Sequence, residues 1–258
     1  LRRQEQKFNA IALVAFPSYD GKEMVPNVYG DYPFEMDNEQ WNPQAPVTTS
    51  GKSFQDAAEY DYWDHLEFII DQAHSKGMQV VLLPAWGGCV AGHWVDGRTT
   101  PQQIFDAPGA YRYACWLGKR LKNKNNLIWM IGGDSSAVYG DRDYRSVFCA
   151  MAEGIADGVN DACEYDGDAD YGITLMSYHP RKWAPNSSEW FHNEPWLDFN
   201  SIQDQPSDQI KAIESDYRLS PEKPTWLFEG GYEYRRGGDA LYTDWHVRFQ
   251  AYQTVFAG

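Results

Sequence analysis

The sequence predicts an α/β fold of the (β/α)8 TIM-barrel type. Three observations point there. Apolar runs of strand length alternate with helical periodicity along all 258 residues. The runs are apolar on both faces, as strands of a parallel sheet covered by helices are. Polar and aromatic residues collect just past the strands' C-terminal ends: Tyr19-Asp20, Trp86, Asp134, Tyr178-His179, Gln203 and Glu229. In a barrel those ends form one mouth, where the chemistry of barrel enzymes sits. An open dinucleotide-binding sheet would carry a GxGxxG turn after its first strand, and this sequence has none.

The elements follow in order. Residues 8–16 read as a buried strand, and a long turn-rich loop follows at 17–34. Within 61–76, Trp63, Leu66, Ile69, Ile70 and Ala73 recur at helical spacing, and Gly77 stops the helix. Residues 78–86 form the second strand and 111–124 the second helix. The run "NLIWMIGGD" (126–134) is the third strand, with a helix at 143–159. A fourth strand lies at 172–180 and a weaker fifth at 196–203. A helix at 207–219, a sixth strand at 224–231 and a helix at 244–258 complete the chain. With no low-complexity linker and no break in composition, residues 1–258 read as a single catalytic barrel domain.

Composition narrows the ligand. Twenty-two Lys+Arg against 37 Asp+Glu leave a net charge of −15, which opposes nucleic acid and anionic membrane surfaces. No apolar run is long enough to span a membrane. Eleven Trp, seventeen Tyr and twelve Phe make 16% of the chain, and such rings offer flat platforms to the C–H faces of sugars. The four cysteines form no CxxC pair, so Cys115 and Cys149, in helical patterns, read as buried thiols. No HxH or HExxH spacing occurs, and no metal or cofactor is expected. The acidic run at 161–170 lacks calcium-loop spacing and reads as a solvated turn.

Two carboxylates stand out. Asp134 and Glu229 each end an apolar strand, and each is flanked by a glycine pair, Gly132-Gly133 before one and Gly230-Gly231 after the other. One such acid alone is more often a helix cap or a partner for a buried arginine. Two at matched places on one barrel are what glycoside hydrolysis needs: an acid for the departing oxygen, and a nucleophile or base. The glycines are expected to clear side chains so that a ligand can approach the backbone. Candidate sugar contacts are Trp86, Tyr178, Trp190 and Tyr232 as platforms, and Asn27, Tyr29, His179, His192, Gln203 and Glu233 as polar partners.

The stretches "NVYGDYPF" (27–34), "GMQVVLLPAWGG" (77–88), "NLIWMIGGD", "LMSYHP" (175–180), "SSEWFHNEPWLDFNSIQ" (187–203) and "KPTWLFEGGYE" (223–233) together resemble the apiosidase-like glycoside hydrolases (glycoside hydrolase family 140). They run in family order over almost the whole chain. The resemblance implies a (β/α)8 barrel, with Asp134 as acid/base and Glu229 as nucleophile of a retaining enzyme. It also implies a pectic, plant cell-wall oligosaccharide or polysaccharide as substrate, cleaved at an apiosyl or other furanosyl link, and a secreted or periplasmic protein. The rival readings are an inverting glycosidase on the same barrel and a carbohydrate-binding barrel without catalysis. One departure is plain: the family's glutamate is usually followed by proline, whereas Gly230 follows here, which is expected to loosen the loop. Matched to the family, the first strand here is its second. The chain then holds about six of eight barrel strands, truncated at both ends, with a gap between residues 8–16 and 224–229.

Overall fold

The computed structural model describes residues 2–16, 26–38, 40–91, 103–182, 186–203, 209–237 and 240–257. Tyr19 and Asp20 lie outside the described residues. Six parallel strands organise the molecule: β1 (Ala10–Val14), β2 (Gln79–Leu83), β3 (Leu127–Gly132), β4 (Met176–His179), β5 (Asn200–Gln203) and β6 (Thr225–Glu229). The first four form one ladder in chain order, and β5 pairs with β6 in a second. Each strand lies within the run that the sequence marks for it, up to four residues short of its ends.

Side chains help join the two ladders. The Asp198 N–H donates to Met176 O at 3.0 Å, while the Asp198 carboxylate accepts the Met176 N–H at 2.7 Å. Ser177 Oγ donates to Phe199 O at 2.6 Å. β4 and β5 are thus neighbours, and the order β1 to β6 is an incomplete (β/α) barrel.

The two faces of the curved sheet carry separate apolar clusters, because alternate residues of a strand point to opposite sides. Val80, Leu82, Trp129, Ile131, Met176 and Tyr178 pack outward into the helical layer. Val81, Leu83, Met130 and Phe199 pack inward with Val14, Ile128, Trp226 and Phe228. The helices behind the sheet are α1 (Tyr62–His74), α2 (Ala107–Leu121), α3 (Arg145–Asn160), α4 (Gln209–Tyr217) and α5 (Asp244–Ala257). Asp61 starts α1 with a capping box completed by Asp64. Asp106 starts α2 by accepting the Gly109 N–H. Trp63 and Trp129 are buried, and Trp116 packs half-buried beside Trp63, as their patterns predict.

Between β1 and β6 the sheet stays open. Neither edge pairs with another described strand, and a cavity of about 850 Å³ runs along both, from Ala10–Val14 to Trp226–Glu229. Val247, Gln250 and Ala251 of α5 line it as well. The gap therefore lies where six strands of an eight-strand closure would leave it.

One expectation is corrected, and one element goes beyond the sequence reading. Cys115 is not a thiol: it forms a disulfide with Cys163, tying α2 to the segment after α3, while Cys89 and Cys149 are free. A partner 48 residues away is a contact that sequence spacing does not reveal. Between the turn-rich loop and α1 lies an antiparallel hairpin, Phe34–Asp37 with Gln40–Pro46.

Candidate active site

Asp134 is delivered by an unusual turn. Gly132, Gly133 and Asp134 follow one another at φ 84°, 126° and 51°, three consecutive residues with positive φ. Glycine adopts such angles freely, and aspartate tolerates the left-handed region better than most side chains. The glycines also serve the protein's own packing, which corrects the expectation that they make room for ligand. A Cβ on Gly132 would lie 2.6 Å from the Tyr178 ring and 2.8 Å from His179 O. On Gly133 it would lie 2.9 Å from the Trp86 ring.

Glu229 reaches the interior by a register shift. Thr225, Trp226 and Leu227 pair in step with Asn200, Ser201 and Ile202, but Gln203 then pairs with Glu229, leaving Phe228 out. Without that bulge, strict alternation would put Glu229 on the face opposite Trp226 and Phe228. The extra residue restores Glu229 to the inward face, the role bulges often play beside active sites.

A polar web then joins the acids. His179, the register partner of Gly132, is 1% exposed and donates from Nε2 to Glu229 Oε2 at 3.1 Å. The Tyr232 hydroxyl donates to Glu229 Oε1. Gln203 hydrogen-bonds both carboxylates, and the Lys182 backbone N–H reaches Asp134. Burial, followed by the charge of Glu229, pushes the Asp134 carboxyl above the ordinary range, outweighing the opposing pull of His179 and Gln203. Burial alone would raise Glu229 too. Hydrogen bonds from His179 and Tyr232, with His179's charge, overcome it and hold that carboxyl below the ordinary range. The two carboxyls are thus pushed in opposite directions, the kind of division that acid–base chemistry uses.

The remaining candidates divide into groups. Trp86 sits half-buried against His179, ring centroids 6.2 Å apart, and lines the cavity with Glu229, Tyr232 and Glu233. Tyr178 is corrected to a core residue: alternation turns it to the helical side, where it packs on Phe148 and Phe191 and donates to Ser135 O at 2.9 Å. Trp190 is half-buried with its ring at right angles to Tyr178's, part of the same packing rather than of the cavity beside Glu229. His192 is also corrected. It is buried, and its ring nitrogens face Asn200 Oδ1 at 3.3 Å and Pro221 O at 2.8 Å, bracing the start of β5 against the loop before β6.

Asn27 and Tyr29 do not join the site. Asn27 Oδ1 accepts from the N–H groups of Tyr29 and Asp31, holding its own turn. Tyr29 packs against Tyr60 and His65 at the outer face of α1. Sequence reasoning missed Gln250, Lys182 and the Phe228 bulge. Gln250 lies in a helical pattern, Lys182 contributes only backbone, and a bulge leaves no compositional mark.

The family model described as "Apiosidase-like, catalytic domain" matches residues 1–258. The chain belongs to the apiosidase-like catalytic domain family. Among solved structures, a glycoside hydrolase family 5 protein from Bacteroides vulgatus ATCC 8482 is 25% identical, with a TM-score of 0.71. It is matched over 99% of this chain and 50% of its own. A second structure, described as a glycoside hydrolase, is 26% identical over 99% of this chain and 53% of its own, with a TM-score of 0.69. The chain thus spans about half the length of these structures. No curated protein matches. Among the described residues of this apiosidase-like domain, no group of three His, Cys, Asp or Glu could hold a metal ion. No described helix is long and apolar enough to cross a membrane.

Proposed function

We propose that this apiosidase-like domain hydrolyses O-glycosidic bonds of a pectic, plant cell-wall polysaccharide, at an apiosyl or other furanosyl link, with retention of configuration. The observation that carries the reading is the pair Asp134 and Glu229, both facing Gln203 and His179, with one carboxyl pushed up and the other held down. Protonated Asp134 donates to the departing oxygen as ionised Glu229 attacks the anomeric carbon, and the C–O bond to the leaving group breaks. The Asp134 carboxylate then takes a proton from water, whose oxygen displaces Glu229 and releases the sugar. His179 and Tyr232 keep Glu229 ionised, and Trp86 offers a ring face beside it.

Retention is the family's expectation, and the separation of the two carboxyls decides it: ~5–5.5 Å in retaining enzymes against ~6.5–9.5 Å in inverting ones. The pectic and furanosyl assignment draws on the family, and the aromatic composition agrees with a sugar ligand. The Cys115–Cys163 bond suits an oxidising, extracytoplasmic compartment.

The test uses apiose-bearing pectic oligosaccharides, with the first-formed product followed by NMR. Release of a sugar in its original anomeric configuration is expected from the parent. Glu229→Gln should lose nearly all turnover. Asp134→Asn should lose about 10²–10⁴-fold on sugar leaving groups, but far less on an activated aryl glycoside, whose phenolate leaves without a proton. Undiminished turnover by Glu229→Gln would sink the assignment.

A further inference from the structure

Two successive glycines after Glu229 should leave a slack loop, because neither restricts its own backbone. The structure holds that loop instead. Gln250 of α5 closes a two-bond clasp on Gly231: the Gly231 N–H donates to Oε1 at 2.9 Å, and Nε2 donates to Gly231 O at 3.0 Å. Gln250 is 8% exposed, and its own carbonyl accepts from Gln209 Nε2 and Thr254 Oγ1, each at 2.8 Å. A Cβ on Gly230 would lie 2.7 Å from Gln250 Oε1, so the space a side chain would need is already taken by this amide. The residue after Gly231 is Tyr232, whose hydroxyl donates to Glu229. Helix α5 therefore reaches the carboxylate through Gln250, the Gly231 backbone and Tyr232.

We propose that Gln250 is a positioning residue for Glu229, fixing the Gly230-Gly231 loop so that the Tyr232 hydroxyl stays on the carboxylate. The proposal rests on the reading of Glu229 as the site's working carboxylate. Gln250 acts at one remove, through Tyr232. It also explains why a glycine pair is compatible with a well-placed Glu229: rigidity comes from a side chain on a distant helix rather than from a restricted backbone. The tyrosine bond is among the contacts that hold Glu229 ionised against the opposing effect of burial. A glutamine that merely braced the fold would affect melting and leave the titration of Glu229 where it was.

The deciding experiment needs no substrate. Carboxyl-¹³C-labelled glutamate is incorporated, the Glu229 resonance is assigned with Glu229→Gln, and its titration is followed by NMR. Gln250→Met keeps the side chain's length and removes both bonds of the clasp. Its Glu229 midpoint should move upward, as should that of Tyr232→Phe. The double variant should move no further than Tyr232→Phe alone. An unmoved midpoint in Gln250→Met, or the same shift with and without the Tyr232 hydroxyl, would overturn the proposal. Should Gln250→Met fail to fold, hydrogen exchange on the parent decides: a protected Gly231 amide supports the clasp, and exchange at the rate of a free loop refutes it. Hydrolysis is judged separately, by sugar release from the parent and its loss in Glu229→Gln. Either reading can therefore fail without the other.

Discussion

Gln203 pairs with Glu229 in the β5–β6 register, and its side-chain amide hydrogen-bonds both Glu229 and Asp134. Because the charge of Glu229 raises Asp134, the two titrations are linked. On the proposed mechanism activity needs Glu229 ionised and Asp134 protonated, so Glu229 would set the acidic limb of the pH profile and Asp134 the alkaline limb. Gln203's hydrogen bond lowers both carboxyls. Gln203→Leu should therefore shift both limbs of kcat/KM toward higher pH, together with a lower maximum. A shift of one limb alone would show that the amide serves only one acid.

The same two acids predict opposite stability effects. Asp134 has its folded-state carboxyl raised by burial, so the folded protein holds that proton more tightly than the unfolded chain. Stability then falls as pH rises from the unfolded toward the folded titration point, and the cost is complete above the folded value. Asp134→Asn removes it and should melt above the parent at neutral pH, the advantage fading below the unfolded Asp range. Glu229 is held low, so its contribution is present above the unfolded Glu range and is lost as pH falls through the folded value. Glu229→Gln should melt below the parent at neutral pH. Thermal melts of the three proteins across acid to neutral pH check both signs.

Tyr178 and Trp86 are both aromatic and both beside a strand end, yet their variants should behave differently. Tyr178→Phe loses one buried hydrogen bond to Ser135 O and should cost about 1 kcal/mol of stability, with saccharide binding unchanged. Trp86→Ala removes a ring lining the cavity next to Glu229. It should cost about 1 kcal/mol of binding, roughly a fivefold rise in KM. Calorimetric unfolding and saturation kinetics on both variants separate the roles.

The disulfide should matter in proportion to the chain it closes. A loop of 48 residues corresponds to about 4 kcal/mol of unfolded-state entropy, an upper figure because native strain subtracts from it. Cys115→Ser, or reduction of the parent, should lower the melting temperature and leave the Asp134–Glu229 web in place. An unchanged melting temperature would mean that the bond does not form in solution.

How much of this was legible in the sequence depends on which physical signal each feature leaves. The strands of β1 to β4 and the helices behind them follow from apolar periodicity, and Asp134 and Glu229 stand out because an acid ends each apolar run. What periodicity does not supply is phase. Tyr178 and His179 are adjacent, and the sequence marks both as mouth residues. Only the packing of Phe148 against one face shows that Tyr178 turns outward and His179 inward. Asn27 and Tyr29 looked like mouth contacts because a polar loop near a strand end resembles one, but their turn closes on itself and docks on α1. Gln250 and the Cys115–Cys163 pair act across long sequence separations, where local patterns carry no information.

The bulge at Phe228 has a consequence for how related sequences should be compared. Between Trp226 and Glu229 the count of residues is odd by one relative to the partner strand, so inside and outside exchange places part-way along β6. An alignment that slides this strand to match apolar alternation will gain hydrophobic agreement and assign the acid to the wrong side of the wall. A relative lacking one residue here could keep the composition, the length of the helices and even the glutamate, and still present its carboxylate to the helical layer. For this strand, parity rather than identity marks whether a homologue has kept its chemistry.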